Sequence, residues 1–254
     1  MEVVGAVGTI TLDRPSKRNA VTYAMWTELG AASKQLAHDD AVHVVVVRGA
    51  GEHFCAGADI AELLIARPEG ELSFMEANSA AEHALATLPK PVIAVVQGDC
   101  IGGGCAVAID CDLRLATYGS RFGITPARLG VVYPPASLQR AVRLLGPAAK
   151  RLLFTGELID AGEAHRIGLV DELLAADLLE ARLAELCTAL TGLSLLTQAA
   201  TKEMIASISE RGVVSADVAD AWAREAISSG ELTEGVAAFT ERRPANFRWR
   251  PQRS

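Results

Sequence analysis

Residues 90–116 read KPVIAVVQGDCIGGGCAVAIDCDLRLA: an apolar run, a turn built on Gly102, Gly103 and Gly104, and a small-residue helix start at Cys105 and Ala106. The run at 92–97 (VIAVVQ) is β-branched, short and unbroken by charge, the pattern of a strand buried on both faces of a parallel sheet. Pro89 and Pro91 sharpen its entry, and residues 113–116 offer a further strand. Upstream, HVVVVR at 43–48 repeats the buried pattern. Thr9 and Thr11 alternate with Ile10 and Leu12, so residues 3–12 read as one half-buried strand. A helix is expected from about Thr22, another over 71–88, and mainly helices from Ala148 onward, with RPEGE at 67–71 as a mobile surface loop. Strands mixed with helices, then helices alone, predict an α/β core with a helical C-terminal extension.

The glycine turn after a strand leaves unpaired N–H groups at a helix N-terminus, where the helix dipole also favours negative charge. HVVVVRGAGEHFCAGADI repeats the arrangement at 43–60, with Ala56 and Gly57 at the bend. If the two bends are neighbours, two amides can point at one oxygen, an oxyanion hole made of backbone. Tight packing alone is the competing explanation for the glycines. Neither G-x-G-x-x-G nor a Gly-Lys-Ser/Thr phosphate loop is present, so a nucleotide fold has little support.

The chain has 254 residues, 50% of them hydrophobic, and a net charge of −7, which argues against a general nucleic-acid binder. No apolar run is long enough to span a bilayer, and the N-terminus lacks the pattern of a secretory signal. Five scattered cysteines fit a reducing cytoplasm. No His cluster supports a metal site.

HFCAGADI (53–60), the block at 90–116, FGITPARLG (122–130), LLFTGELIDAGEAHRIGLVDEL (152–173) and EGVAAFTERRPANF (234–247) resemble successive blocks of the crotonase, or enoyl-CoA hydratase/isomerase, superfamily. The resemblance implies a spiral of β-β-α units over residues 1–197 and a C-terminal helical trimerisation region over 198–254. It also implies a homotrimer or dimer of trimers, and an acyl-CoA thioester as substrate with no cofactor beyond its coenzyme A. It places the two catalytic amides on Ala56 and Gly103. Ala58, Asp59, Ile60, Gly102, Ala106 and Pro126 are expected at the substrate, with Asp59 also placed to cap a helix. Lys17 and Arg18 fall in the block that meets the nucleotide and pyrophosphate, and Arg242, Arg243 and Phe247 in a tail that often approaches a neighbouring subunit's ligand.

Hydratases resembling this chain carry two glutamates where it has Ala106 and Pro126. A positioned acid or base contributes roughly 10²- to 10⁴-fold, so their loss argues against efficient hydration. TPARLGVVY (125–133) partly resembles the methylmalonyl-CoA decarboxylase branch and makes Tyr133 a catalytic candidate, although that branch has histidine where this chain has Ala58. Decarboxylase, other lyase or hydrolase chemistry is therefore expected. The alternatives are a weak or substrate-restricted enoyl-CoA hydratase/isomerase, with an acid from Asp110, Glu76 or elsewhere, and a noncatalytic acyl-CoA binding protein. Glu76 and His83 share a helical face that could meet the acyl pocket. Cys55 and Cys105 flank the bends without a base to activate them, which suits small buried hydrophobes.

Overall fold

The computed structural model describes residues 1–251. In chain order its elements are β1 (Glu2–Val4), β2 (Val7–Leu12), α1 (Tyr23–Ala37), β3 (Val44–Gly49), α2 (Phe74–Ala86), β4 (Val92–Val96), β5 (Asp99–Ile101), α3 (Gly103–Asp110), β6 (Leu113–Thr117) and β7 (Arg121–Gly123). They continue as α4 (Pro135–Leu145), α5 (Ala148–Thr155), β8 (Ile159–Asp160), α6 (Ala161–Arg166), β9 (Glu172–Leu174), α7 (Leu179–Thr191), α8 (Leu195–Arg211), α9 (Ala216–Ser228) and α10 (Glu231–Glu241).

Six strands form one sheet in the order β1-β2-β3-β4-β6-β9, and β5-β7-β8 form a second. The β-β-α unit is visible twice: β4 and then β6 enter the large sheet, β5 and β7 enter the small one, and α3 and α4 follow. From β2 to β9 the large sheet is parallel. Its central strands are buried on both faces. Val44, Val46, Ile93 and Leu115 pack against Leu179 and Leu183 of α7, while Val45, Val47, Ala94 and Val96 face the core shared with Trp26 of α1 and Leu85 of α2. That double cover is why HVVVVR and VIAVV show no polar alternation.

Residues 3–12 are two strands rather than one. Gly5 takes a left-handed φ of 58° and turns the chain back, so that Val4 pairs with Val7 antiparallel. Thr22 caps α1 by accepting from the Met25 amide, and Ser73 with Glu76 forms a capping box that starts α2. Residue 197 is not an element boundary: it lies in the first turn of α8, whose Leu195 and Leu196 are buried. The helical extension therefore starts at the Ser194 cap, and positions 252–254 of that expected region lie outside the described residues. It is fastened through Lys202, whose Nζ donates to Asp112 Oδ2 at 2.7 Å and to the Lys90 carbonyl at 3.2 Å. Among the described residues no single helix is long and apolar enough to cross a membrane.

Candidate active site

The two glycine bends meet. The Cys55 amide donates to the Asp99 carbonyl at 2.8 Å and the Ile101 amide to the Cys55 carbonyl at 2.9 Å, which locks the first bend to β5. Their approach tolerates no side chain at Gly104, where a Cβ would stand 2.5 Å from the Cys55 carbonyl oxygen. Gly57 has φ of 110°, and a Cβ there would lie 3.2 Å from the Ile101 carbonyl and 3.7 Å from the Gly103 nitrogen.

The first donor differs from the expected one. The Ala56 amide is spent internally, donating to the Arg18 carbonyl at 2.9 Å. On either side of Ala58, the Gly57 carbonyl accepts from the Val21 amide and the Asp59 amide donates to the Val21 carbonyl, both at 2.8 Å. In that parallel bridge the amide of Ala58 itself faces the other way. A Cβ on Gly103 would lie 3.4 Å from it. Gly103 opens α3, where no intrahelical acceptor exists for its amide. Among the described residues neither the Ala58 nor the Gly103 amide has a protein acceptor. The bare pair is thus Ala58 with Gly103, and Ala56 is corrected to a lining residue.

Both amides border a cavity of about 120 Å³ walled by Phe74, Met75, Leu129 and Val131. Ala56, Ala58, Ile60, Gly102, Gly103, Ala106, Pro126 and Tyr133 all line it, so eight expected positions come together. Ala106 and Pro126 face it without an ionisable group. The Tyr133 hydroxyl is buried with no hydrogen-bond partner, and desolvation pushes its pKa well above the ordinary phenol value.

Asp59 does not join them. Its carboxylate accepts from Ala61 N at 3.0 Å, capping the short turn Ile60–Glu62, and pairs with Arg14 at 2.5 Å, which holds its pKa below the usual range. Arg18 is tied to the buried Asp99 at 2.9 Å, beside Arg121, whose Nε and Nη2 grip the other oxygen of the same carboxylate. Lys17 is exposed. Arg243 is held by Glu234 and Glu241, and Phe247 packs on Gly235. Glu76 and His83 are exposed, Glu76 being the capping-box acid, so that face of α2 turns away from the cavity. The thiol of Cys55 is buried and pushed up to about 12 by desolvation, and Cys105 is likewise buried, so neither is poised as a nucleophile.

Among the described residues one carboxylate does line the cavity, and the sequence reading missed it. Glu82, 2% exposed, accepts from Asn78 Nδ2 on Oε1 at 2.9 Å, and from Ser137 Oγ and Arg140 Nη2 (3.3 Å) on Oε2. Arg140 Nε also pairs with Asp110 Oδ1, while Asp110 Oδ2 has no partner. Burial, reinforced by the charge of Glu82, raises the Asp110 pKa well above the normal carboxylate range. The signal was present: Phe74, Asn78, Glu82 and Leu85 share the core face of α2, and an acid in that stripe is out of place unless paired. A larger groove of about 880 Å³ beside Trp222 and Trp249 contains neither bare amide. Among the described residues no group of three His, Cys, Asp or Glu is placed to hold a metal ion.

A spiral of β-β-α units with two facing amides over an apolar cavity defines the crotonase class, and comparison with known proteins agrees. The family model for enoyl-CoA hydratase/isomerase matches residues 2–250. A "probable enoyl-CoA hydratase" of Mycobacterium leprae is 34% identical, with 95% of this chain and 94% of that protein covered. The mevalonyl-coenzyme A hydratase of Aspergillus fumigatus is 32% identical over 96% of this chain and 91% of its own. The crystal structure of an enoyl-CoA hydratase from Bacillus anthracis superposes with a TM-score of 0.88 at 28% identity, covering 98% and 97% of the two chains. The chain belongs to the enoyl-CoA hydratase/isomerase family of the crotonase superfamily. It is an acyl-CoA enzyme of that family.

Proposed function

We propose that the Ala58 and Gly103 amides bind the thioester oxygen of an acyl-CoA and stabilise an enolate that arises by decarboxylation or related lyase chemistry. Thioester hydrolysis at the same hole belongs to this reading. The observation that carries it is the pairing of two bare amides with a cavity whose positions 106 and 126 supply no acid. In a decarboxylation the bond between the α-carbon and the carboxylate breaks, its electron pair enters the enolate, and carbon dioxide leaves. The Tyr133 hydroxyl gives its proton to the α-carbon and regains one from water. Donors preorganised for the enolate oxygen stabilise it more than the ground state, which lowers the barrier.

A substrate-restricted hydratase or isomerase is the second reading, favoured by the names of the relatives. It requires a carboxylate from outside positions 106 and 126, and among the described residues Glu82 is the one that lines the cavity. Loss of enoyl absorbance with crotonyl-CoA separates the two: turnover near background is expected, and robust turnover overturns the first reading. A panel of malonyl-, methylmalonyl- and ring-derived acyl-CoAs is expected to give product from at least one member.

The coenzyme A end is assigned to the exposed Lys17 and to the Arg18 side, and the working form to a homotrimer or dimer of trimers in the cytoplasm. The exposed stripe Leu232, Val236 and Phe239 on α10 supports the assembly. Five cysteines free of disulfides support the compartment.

A further inference from the structure

Glu82 has unused capacity. An ionised carboxylate offers about four acceptor positions. Oε2 takes two donors, Ser137 and Arg140, whereas Oε1 takes only Asn78. The remaining acceptor belongs to the one charged side chain that, among the described residues, lines the cavity, whose walls are otherwise largely hydrocarbon. Arg140 also fixes its depth. The same guanidinium pairs with Asp110, seven residues beyond Gly103, or about 10 Å of helical rise into the protein. The carboxylate therefore sits towards the Asp110 end of α3, several bonds from a thioester carbon held at Gly103.

From this geometry we infer that Glu82 is a specificity-determining residue that selects acyl groups carrying a hydroxyl near their distal end, the O–H donating to Oε1. The inference rests on the acyl-CoA reading of the same cavity. A chain ending in methyl leaves the Glu82 acceptor stripped of water and unpaired, whereas one ending in carboxylate sets like charge against it. The volume of about 120 Å³ leaves room for a short acyl group. The orienting bonds from Asn78 and Ser137 keep the carboxylate from swinging to meet other ligands, which makes the choice one of chemistry as well as size.

The test measures binding of matched coenzyme A analogues in which methylene replaces the thioester sulfur, so that the carbonyl is kept and hydrolysis is prevented. Unbranched acyl chains of about four to six carbons are compared with terminal hydroxyl, methyl and carboxylate. At one chain length or more, the hydroxyl member is expected to bind wild-type protein about tenfold or more tightly than the methyl member, with the carboxylate member weakest. In Glu82→Gln, which keeps the shape and reverses half the hydrogen-bonding character, that ratio is expected to collapse. Equal affinities across the wild-type series overturn the inference and assign the acceptor to a trapped water. Failure of every member to bind overturns the acyl-CoA reading itself. Because the wild-type ratio decides the matter, a Glu82→Gln protein that fails to fold leaves the test intact.

Discussion

The Ala58 amide and the Gly103 backbone face each other so closely that a methyl group on Gly103 would stand 3.4 Å from the Ala58 nitrogen and 3.2 Å from the Trp26 ring. The space between the two amides is where the thioester oxygen is proposed to lie. Gly103 has no positive φ, so alanine suits its backbone; the new methyl presses on the buried Trp26 ring and stands beside the Ala58 amide, across the ligand's proposed place. Gly103→Ala is expected to fold with a small shift of Trp26 and to lose about 10²- to 10³-fold in kcat, as much as one oxyanion donor is worth, because the methyl keeps the thioester oxygen away from amides that are themselves still present. Circular dichroism and steady-state turnover on whichever panel member reacts check this together. Unchanged kcat would remove Gly103 from the reaction.

Arg140 pairs with two buried acids at once, Glu82 from α2 and Asp110 from α3. Arg140→Met strands both carboxylates and is expected to cost on the order of 3–5 kcal/mol in urea unfolding. The double variant Arg140→Met/Asp110→Asn is expected to recover part of that loss, because one of the two stranded acids has gone. Asp110 also sets a pH dependence. Its folded pKa is raised, so the stability it confers is full below the unfolded value near 3.8 and is lost as pH rises through the folded value. Asp110→Asn is expected to flatten the stability profile above pH 4, and an unchanged profile would show that the acid is not held protonated.

The parts of the fold that were legible were those in which one strong pattern acts alone. The runs at 43–48 and 92–97 are covered on both faces, so their uninterrupted apolar character points directly to buried parallel strands. The site was harder to read. Eight lining positions followed from the two bends and the blocks around them. Which amide is bare depends on a pairing between residues far apart in sequence, Val21 with Ala58, that no local pattern contains. Glu82 stayed hidden for the same reason: an acid on the core face of α2 makes sense only once Ser137 and Arg140 of α4 are brought beside it. Asp59 is the cap that its position suggested, and it does not line the cavity, because capping and pairing with Arg14 use the same carboxylate that a ligand would.

Lys90 is wholly buried and closes the end of α1, its Nζ donating to the Leu36 carbonyl at 2.5 Å and the Asp39 carbonyl at 2.7 Å. Burial brings its pKa down to about 8, against 10.5 for a free lysine. Between those values the unfolded chain binds more protons, so the lysine's contribution to stability rises with pH across that window. Lys90→Met loses both hydrogen bonds and is expected to be less stable throughout. The gap between wild type and variant is expected to widen from pH 7.5 to pH 9.5, measured as urea midpoints at the two values. A constant gap would mean that the ammonium is not destabilised by its burial.

Along α10, Leu232, Val236 and Phe239 are 61%, 59% and 88% exposed and recur at helical spacing on one side. A continuous apolar stripe of this kind is costly to leave in water, and the proposed trimer offers cover for it. Phe239→Asp is expected to leave the fold of the protomer intact, since the side chain has little to lose within its own chain, and to shift sedimentation from the assembled species towards monomer. The effect is expected to depend on protein concentration, as mass action requires for subunits whose interface has been weakened. Wild-type protein that sediments as a monomer at every concentration would take the stripe out of the assembly.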